Sequence, residues 1–448
     1  MASEFRPYEP DQPYLLPQLP REWLPEGHLA LFVLDVVNEL SLAPILSRYH
    51  GGRGPAGYHP RMLLTLLLYG YCSGVFSSRK IADRCHTDIA FRVLSASQFP
   101  DFRTISDFRK VHLDAFHRLF LEVLRLCRET GLLKMGHLSL DGSKYQANAS
   151  KHKAMSYGRI KETEPQLEAE VRELLRRAQA IDDAEDKEYG RDRQGDELPE
   201  ELQRRETRLQ KLREAKQRLE ERARKRAREQ AEHRGATAEE AAAKEAKAVP
   251  KDREQSNFTD PDSRIMKSAQ GWVQGYNAQV AVTEGSGVIV AEDVNGQSAD
   301  SPQLEPMLDH AERNMKDIEA PEGERRPQIF TADAGYCSEV NLARLDERGI
   351  DAYVATGRER HRGQGIEARA ELRTPLRAAM RAKLQTEHGR AVYARRKTIT
   401  EPVHGLIKQA RGFRQFHLRG LRKVKAEFAL IALTHNLLKL WRAGLTPA

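Results

Sequence analysis

Long apolar runs are missing from this chain of 448 residues. None reaches the roughly 18–20 consecutive apolar residues that a bilayer-crossing helix needs, so no membrane role is expected. Cysteine is scarce. Cys72, Cys85, Cys127 and Cys337 are scattered without a CxxC pair, which excludes a zinc-ribbon site and a disulfide framework and leaves reduced thiols. The Pro-rich start, MASEFRPYEPDQPYLLPQLP, lacks the basic and apolar regions of a secretory signal, so a cytoplasmic, nucleoid-associated location is expected. Aromatics thin out in one long stretch: between Tyr157 and Phe258 the sole aromatic residue is Tyr189.

What the chain does have is charge, in 31% of its residues, with a net of +8. Residues 357–425 hold 19 Lys and Arg against 5 Asp and Glu, a local excess of 14 positive charges. That exceeds the whole-chain value, so the remainder is net acidic. A segregated basic region is the footprint of a polyanion partner, most often nucleic acid. Many of these cations are Arg, whose planar fork suits phosphate. The alternative is a solvated basic surface.

The length predicts two or three domains with a sizeable core. Residues 1–27 read as a Pro-rich arm. Residues 28–130 are helical in pattern, with apolar clusters at 29–37, 62–71 and 116–126. Between them, 77–110 predicts a short helix capped by Ser78, a second over 89–94, a break at Pro100, and a third opened by Thr104 with Asp107 three residues on. Arg79, Lys80, Arg103 and Arg109 give this segment a helix-turn-helix layout, or an ordinary helical bundle. Residues 159–256 predict a charged antiparallel helical hairpin without a core of its own. Leu167, Val171 and Leu174 share one face, and Leu202, Leu209, Leu212 and Leu219 form a partial heptad seam. The alternative is a flexible, partly helical insert. Residues 131–158 and 257–440 then read as one α/β unit: strands near 137–141, 275–284, 287–294, 329–332 and 350–356, helices near 301–318 and after 335, and closing helices over 401–410 and 421–442. Residues 357–392 show no clear order. A mixed sheet flanked by helices is the simplest architecture.

Two strands in this unit run out to an acid followed by glycine. In HLSLDGSKYQANAS, Asp141-Gly142 reads as a strand entering a tight turn; in IFTADAGYC, Asp333 precedes Gly335 and a helix. Aspartates ending separate strands can meet at one edge of a sheet, where their repulsion is relieved by a cation. Oxygen donors select hard ions such as Mg²⁺ or Mn²⁺. A third acid is available at Glu401, in TITEPVHGLIKQAR, with Thr400 and Pro402 opening a helix. Arg396, Lys408 and Arg411 surround it, as expected for a helix lying along a phosphate backbone. Trp272 and Tyr276 read as core residues first and as stacking platforms for an unpaired base second. Asp260, Asp262 and Asp293 read as turn or surface acids.

LSLDGSKYQANAS, NFTDPDSRIMK with GWVQGYNAQ, TADAGYCSEVN, and the series Tyr393, Arg396, Glu401, Lys408 together resemble the bacterial insertion-sequence transposases with a DDE triad and an RNase H-like core. Within them the chain is most similar to the eleven-eighty-two group. The family series commonly leaves three residues between Arg and Glu; here Arg396 leaves four and Lys397 stands at the family spacing. The resemblance implies an RNase H-like mixed sheet flanked by helices, with an N-terminal all-α DNA-binding domain and a helical-hairpin insertion. It implies that Asp141, Asp333 and Glu401 hold two Mg²⁺ or Mn²⁺ ions for phosphodiester cleavage and joining of a 3′-OH end to target DNA. It further implies DNA contacts by Arg396, Lys397, Lys408, Arg411, Arg79, Lys80, Arg109 and Trp272, and a homodimer on DNA. The rival readings are a DNA-binding regulator without catalysis and a metal-dependent nuclease lacking strand transfer.

Overall fold

The computed structural model describes residues 19–49, 57–189, 200–233, 236–268, 271–357 and 374–445. Seven helices come first: α1 (Leu29–Glu39), α2 (Ala43–Leu46), α3 (Pro60–Cys72), α4 (Ser78–Thr87), α5 (Ile89–Leu94), α6 (Phe102–Val111) and α7 (Leu113–Glu129). Helix α3 is the pivot of this region. Leu63, Leu64, Leu66, Leu67, Leu68 and Tyr71 are all buried, so it is covered on nearly every side. Caps set the shorter helices. Asp88 accepts from the Ala90 and Phe91 amides to open α5, and Asp101 accepts from Arg103 to open α6. The start expected at Thr104 therefore falls inside α6, and Ser77, not Ser78, sits at the N-cap of α4 without a side-chain bond. Helix α4 packs against both α5 and α6, an arrangement that a helix-turn-helix and an ordinary helical bundle both allow.

The sheet follows. Strand β1 (His137–Gln146) leads into β2 (Ala154–Ser156), α8 (Tyr157–Tyr189), α9 (Glu200–His233), α10 (Ala238–Ala246) and β3 (Gln255–Asn257). After them come β4 (Arg264–Ser268), β5 (Gly271–Thr283), β6 (Ile289–Asn295), α11 (Leu304–Asp317), β7 (Ile329–Ala332), α12 (Glu339–Glu347) and β8 (Asp351–Val354). The main sheet has six strands in the order β4-β5-β1-β7-β8, with β6 also pairing with β5. Strands β1, β7 and β8 are parallel; β4, β5 and β6 add antiparallel pairs. This is the expected mixed sheet with helices.

One expectation fails here. Asp141-Gly142 is not a turn. Strand β1 continues through both residues, paired with β5 from Leu138↔Thr283 to Gln146↔Gly275. Gly142 is glycine for space, not for backbone freedom: it is not among the residues with positive φ, and a Cβ there would lie 2.4 Å from Gln279 Nε2 and 2.8 Å from Asp300 Oδ1.

The insertion is an antiparallel pair, α8 against α9, with α10 folded back on α9. It does have a small core. Tyr157, Ile160, Leu167, Val171, Leu209, Leu212, Ala215 and Leu219 form an apolar cluster of their own, and the short β2–β3 pair ties the base. The Leu202 and Ile181 side chains lie outside the described residues.

The C-terminal part of the chain is helical: α13 (Pro375–Gln385), α14 (Glu387–Ile399), α15 (Glu401–Gly405), a π-helical turn over Leu406–Ala410, and α16 (Leu421–Arg442). Order thus extends into 374–392; residues 358–373 lie outside the described ones. Helix α16 packs against α7, α3 and β6, so one apolar cluster runs from Ala30 in α1 to Leu440 in α16. The N-terminal helices and the sheet share it. Asn436 locks the seam by bonding both the amide and the carbonyl of Ile289 at 2.9 Å.

Candidate active site

Strand β7 is four residues long, and its register on β1 ends at Leu140↔Ala332. The next pair in register is Asp141 and Asp333. Asp333 leaves the sheet because its carboxylate accepts the Gly335 amide at 2.9 Å, capping the short turn Ala334–Tyr336. The chain turns away there, and the edge of β1 beyond Asp141 is left without its parallel partner until Gln146 meets Gln415. Asp141, within β1, and Asp333, just past the end of β7, therefore come together at an opening in the sheet.

A helix supplies the cation. Arg396, on α14, places Nη1 3.6 Å from Asp141 Oδ1, with 13% and 18% of the two side chains exposed. Its Nε and Nη1 are buried and have no hydrogen-bond partner. Lys397 is exposed. Of the two basic positions left open by the sequence, Arg396 is the one beside the acid. Burial raises the Asp141 carboxyl to about 6; Arg396 opposes the rise, while Asp333 and Asp300 add to it. Burial acts against the Arg396 charge, but Asp141, Tyr393 and Asp333 raise its pKa.

The turn of chain after α14 lies against β1. Successive strand residues face opposite sides, so Asp141, Ser143 and Tyr145 share one face. The Tyr145 hydroxyl and His404 Nδ1 are 3.2 Å apart. Lys408, in the π-helical turn, donates to Ser143 Oγ and to the Lys144 carbonyl and sits 4.3 Å from the centre of the Tyr145 ring. Burial pulls Lys408 down to about 8, with Asp141 opposing, and burial lowers His404 to about 3. His404 is thus a neutral packing residue. Glu401 stands apart. It is exposed in the first turn of α15 and forms no hydrogen bond or ion pair with another described residue. Among the described residues no three His, Cys, Asp or Glu side chains close into a metal cage.

An acid that the sequence reading passed over stands on the other face of β1. Asp300 Oδ1 accepts from Lys144 Nζ at 3.1 Å, Asn277 Nδ2 at 2.7 Å and Gln279 Nε2 at 2.9 Å. Its signal in the sequence was faint: an Asp in SADSPQ just before a helix, with no buried strand running directly into it. Asp141, Asp333 and Asp300 offer carboxylate oxygens at this edge, with Arg396 and Lys144 beside them. That chemistry fits a hard divalent cation such as Mg²⁺ or Mn²⁺.

Several expected DNA contacts are elsewhere. Arg109 is buried and bonds the Tyr71 hydroxyl at 2.8 Å, with Glu427 at 3.9 Å. Arg411 is buried too, donating to Tyr71, Ile431 and Thr434. Both hold helices together, because their partners are core carbonyls, hydroxyls and a carboxylate, so neither presents a charge to a polyanion. Arg79 and Lys80 are exposed on α4, with Arg79 4.8 Å from the Phe102 ring centre. Trp272 is 62% exposed at the start of β5, whereas Tyr276 is fully buried and donates to Asp260. Trp272 is therefore not a core residue. Asp260 is buried, contrary to its reading as a turn or surface acid, because the Tyr276 hydroxyl and the Gly420 amide bind its carboxylate.

The Transposase DDE domain family model matches residues 242–437. The Transposase domain (DUF772) model matches residues 19–111. The first match carries Asp333 and Glu401 and the second covers α1 to α6; Asp141 lies between them, so its place beside Asp333 rests on strand pairing. No curated protein and no solved structure matches the chain.

Proposed function

We propose that this chain, which belongs to the insertion-sequence transposases with a DDE domain, binds the terminal inverted repeats of its element, cuts the DNA there and joins the freed 3′-OH to target DNA. The observation that carries this reading is that Asp141 and Asp333 each stand one residue beyond Leu140↔Ala332, the last pair of β1 with β7, and that Asp333 acts on the Asp141 carboxyl. Asp141, Asp333 and Glu401 would hold Mg²⁺ or Mn²⁺, which when bound supplies charge neutralisation at the phosphodiester and activates water or a 3′-OH. Glu401 is free of partners, so its side chain is available to turn toward the aspartates when DNA and metal arrive.

The remaining residues bind and orient. Arg396, beside Asp141, and Lys408, beside Ser143 on the same face of β1, position phosphate oxygens around the cut bond. Arg79 and Lys80 contact the backbone of the repeat, and Lys397 adds an exposed cation on α14. Trp272 offers a stacking face for a base freed from the duplex, worth about 1–3 kcal/mol. Two ends have to be brought together for joining, which makes a homodimer on DNA, at the nucleoid, the working form. Electrophoretic binding and plasmid nicking in Mg²⁺ test the reading. Asp141→Asn, Asp333→Asn and Glu401→Gln should each bind repeat DNA and fail to nick it. Full nicking by any of the three removes that residue from the site. Binding without nicking by the wild type would favour a regulator, and nicking without joining a nuclease.

A further inference from the structure

We infer that Asp300 is a ligand of the same cation site, entering it from the opposite face of β1. This rests on the carboxylate reading of Asp141 and Asp333. The two oxygens of Asp300 have different surroundings. Oδ1 is anchored by three donors, Lys144, Asn277 and Gln279. Oδ2 accepts no hydrogen bond from another described residue and is directed at the turn that carries Asp333: a Cβ added at Gly335 would lie 3.3 Å from Asp300 Oδ2 and 3.0 Å from Asp333 Oδ1. Those two distances bring the two carboxylate oxygens within about 6 Å of each other. A divalent cation with metal–oxygen distances near 2 Å can bridge such a pair after a small side-chain adjustment.

Two glycines make room for this arrangement. Gly142 follows Asp141, and Gly335 lies two residues after Asp333. Neither has a positive φ, so neither is required by its backbone. A side chain at Gly142 would meet Asp300 Oδ1 at 2.8 Å, and one at Gly335 would meet Oδ2 at 3.3 Å. Gly142, next to Asp141, and Gly335, two residues past Asp333, are thus bare where Asp300 enters. The Asp300 side chain is 21% exposed, so the second oxygen is open to the site while Oδ1 is held. A ligand needs both: one oxygen fixed, the other free.

The test is Mn²⁺ binding to the full chain without DNA, read by the electron paramagnetic resonance signal of free Mn²⁺, beside metal-free thermal melts. Asp300→Asn keeps the Oδ1 acceptor and the side-chain volume. It should melt as the wild type does without metal and bind Mn²⁺ at least tenfold more weakly. Wild-type Mn²⁺ affinity in Asp300→Asn, with loss in Asp141→Asn, would overturn the inference and leave the aspartate pair standing. Absence of Mn²⁺ binding by the wild type would overturn both. Asp300→Cys gives an independent reading. A ligand at this position should turn the preference from Mn²⁺ toward Cd²⁺ with a new thiolate–Cd²⁺ absorption band, and no band beyond that of the wild type would contradict the inference.

Discussion

Replacing Gly142 by Ala separates a strand glycine held for space from a turn glycine held for its backbone. The backbone at Gly142 is an ordinary strand conformation, so Ala is allowed there by φ and ψ, and on unfolded-state entropy alone would stabilise by about 0.4–1 kcal/mol. The added methyl instead meets Gln279 Nε2 at 2.4 Å and Asp300 Oδ1 at 2.8 Å. Relief comes either by strain, at about 1–3 kcal/mol for an overpacked site, or by giving up the Gln279–Asp300 hydrogen bond, at about 1.5–3 kcal/mol for a charged acceptor. Less the entropic gain, the net loss is about 1–2 kcal/mol. Denaturant unfolding of wild type and Gly142→Ala should show a lower midpoint at an unchanged slope. A midpoint equal to or above that of the wild type would refute the packing argument and, with it, the reading of Gly142 as a position kept bare for Asp300.

Two further outcomes follow from buried charge. Burial, reinforced by Asp293 and opposed by Lys425, pushes the Glu292 carboxyl up to about 8. The folded chain then keeps a proton that the unfolded chain releases. The stability from that neutral carboxyl is complete below the ordinary Glu value and is lost as pH rises through about 8. Glu292→Gln should flatten stability between pH 5 and 8, and an unchanged profile would sink the assignment. The basic residues should divide by exposure. Arg79→Ala and Lys80→Ala should each lower the salt slope of DNA binding by about one with little effect on melting. Arg109→Ala should lower the melting temperature, at a cost of about 1–3 kcal/mol, by removing the donor to the buried Tyr71 hydroxyl and a cation near Glu427, which keeps the His417 and Leu418 amides; an unaltered melt would contradict that role.

Element order was largely legible in the sequence because it rests on local periodicity. The four-residue apolar strand before Asp333, the hairpin through 275–294 and the Leu-rich last helix all carry patterns that only one kind of element satisfies. Asp333 was legible because it follows a buried strand, and Asp141 because an alternating apolar pattern leads up to it, although β1 runs on past it. What was not legible depends on contacts between distant segments. Nothing near Gly142 says that β5 continues the pairing past it. Asp300 follows a loop and owes its place to Lys144, Asn277 and Gln279 on two other strands. Arg109 and Arg411 look like their exposed neighbours in sequence, and only the approach of Tyr71, Glu427 and Thr434 makes them interior. The choice between Arg396 and Lys397 likewise came from which of two adjacent helical side chains faces β1.

The most direct test of the central claim is strand joining by the wild-type chain and by Asp333→Asn, using a duplex that ends in the element's terminal repeat and a supercoiled target plasmid in Mg²⁺. The wild type should covalently join the repeat's 3′ end to the plasmid, and Asp333→Asn should bind the duplex without joining it. Joining by Asp333→Asn at the wild-type rate would remove Asp333 from the chemistry.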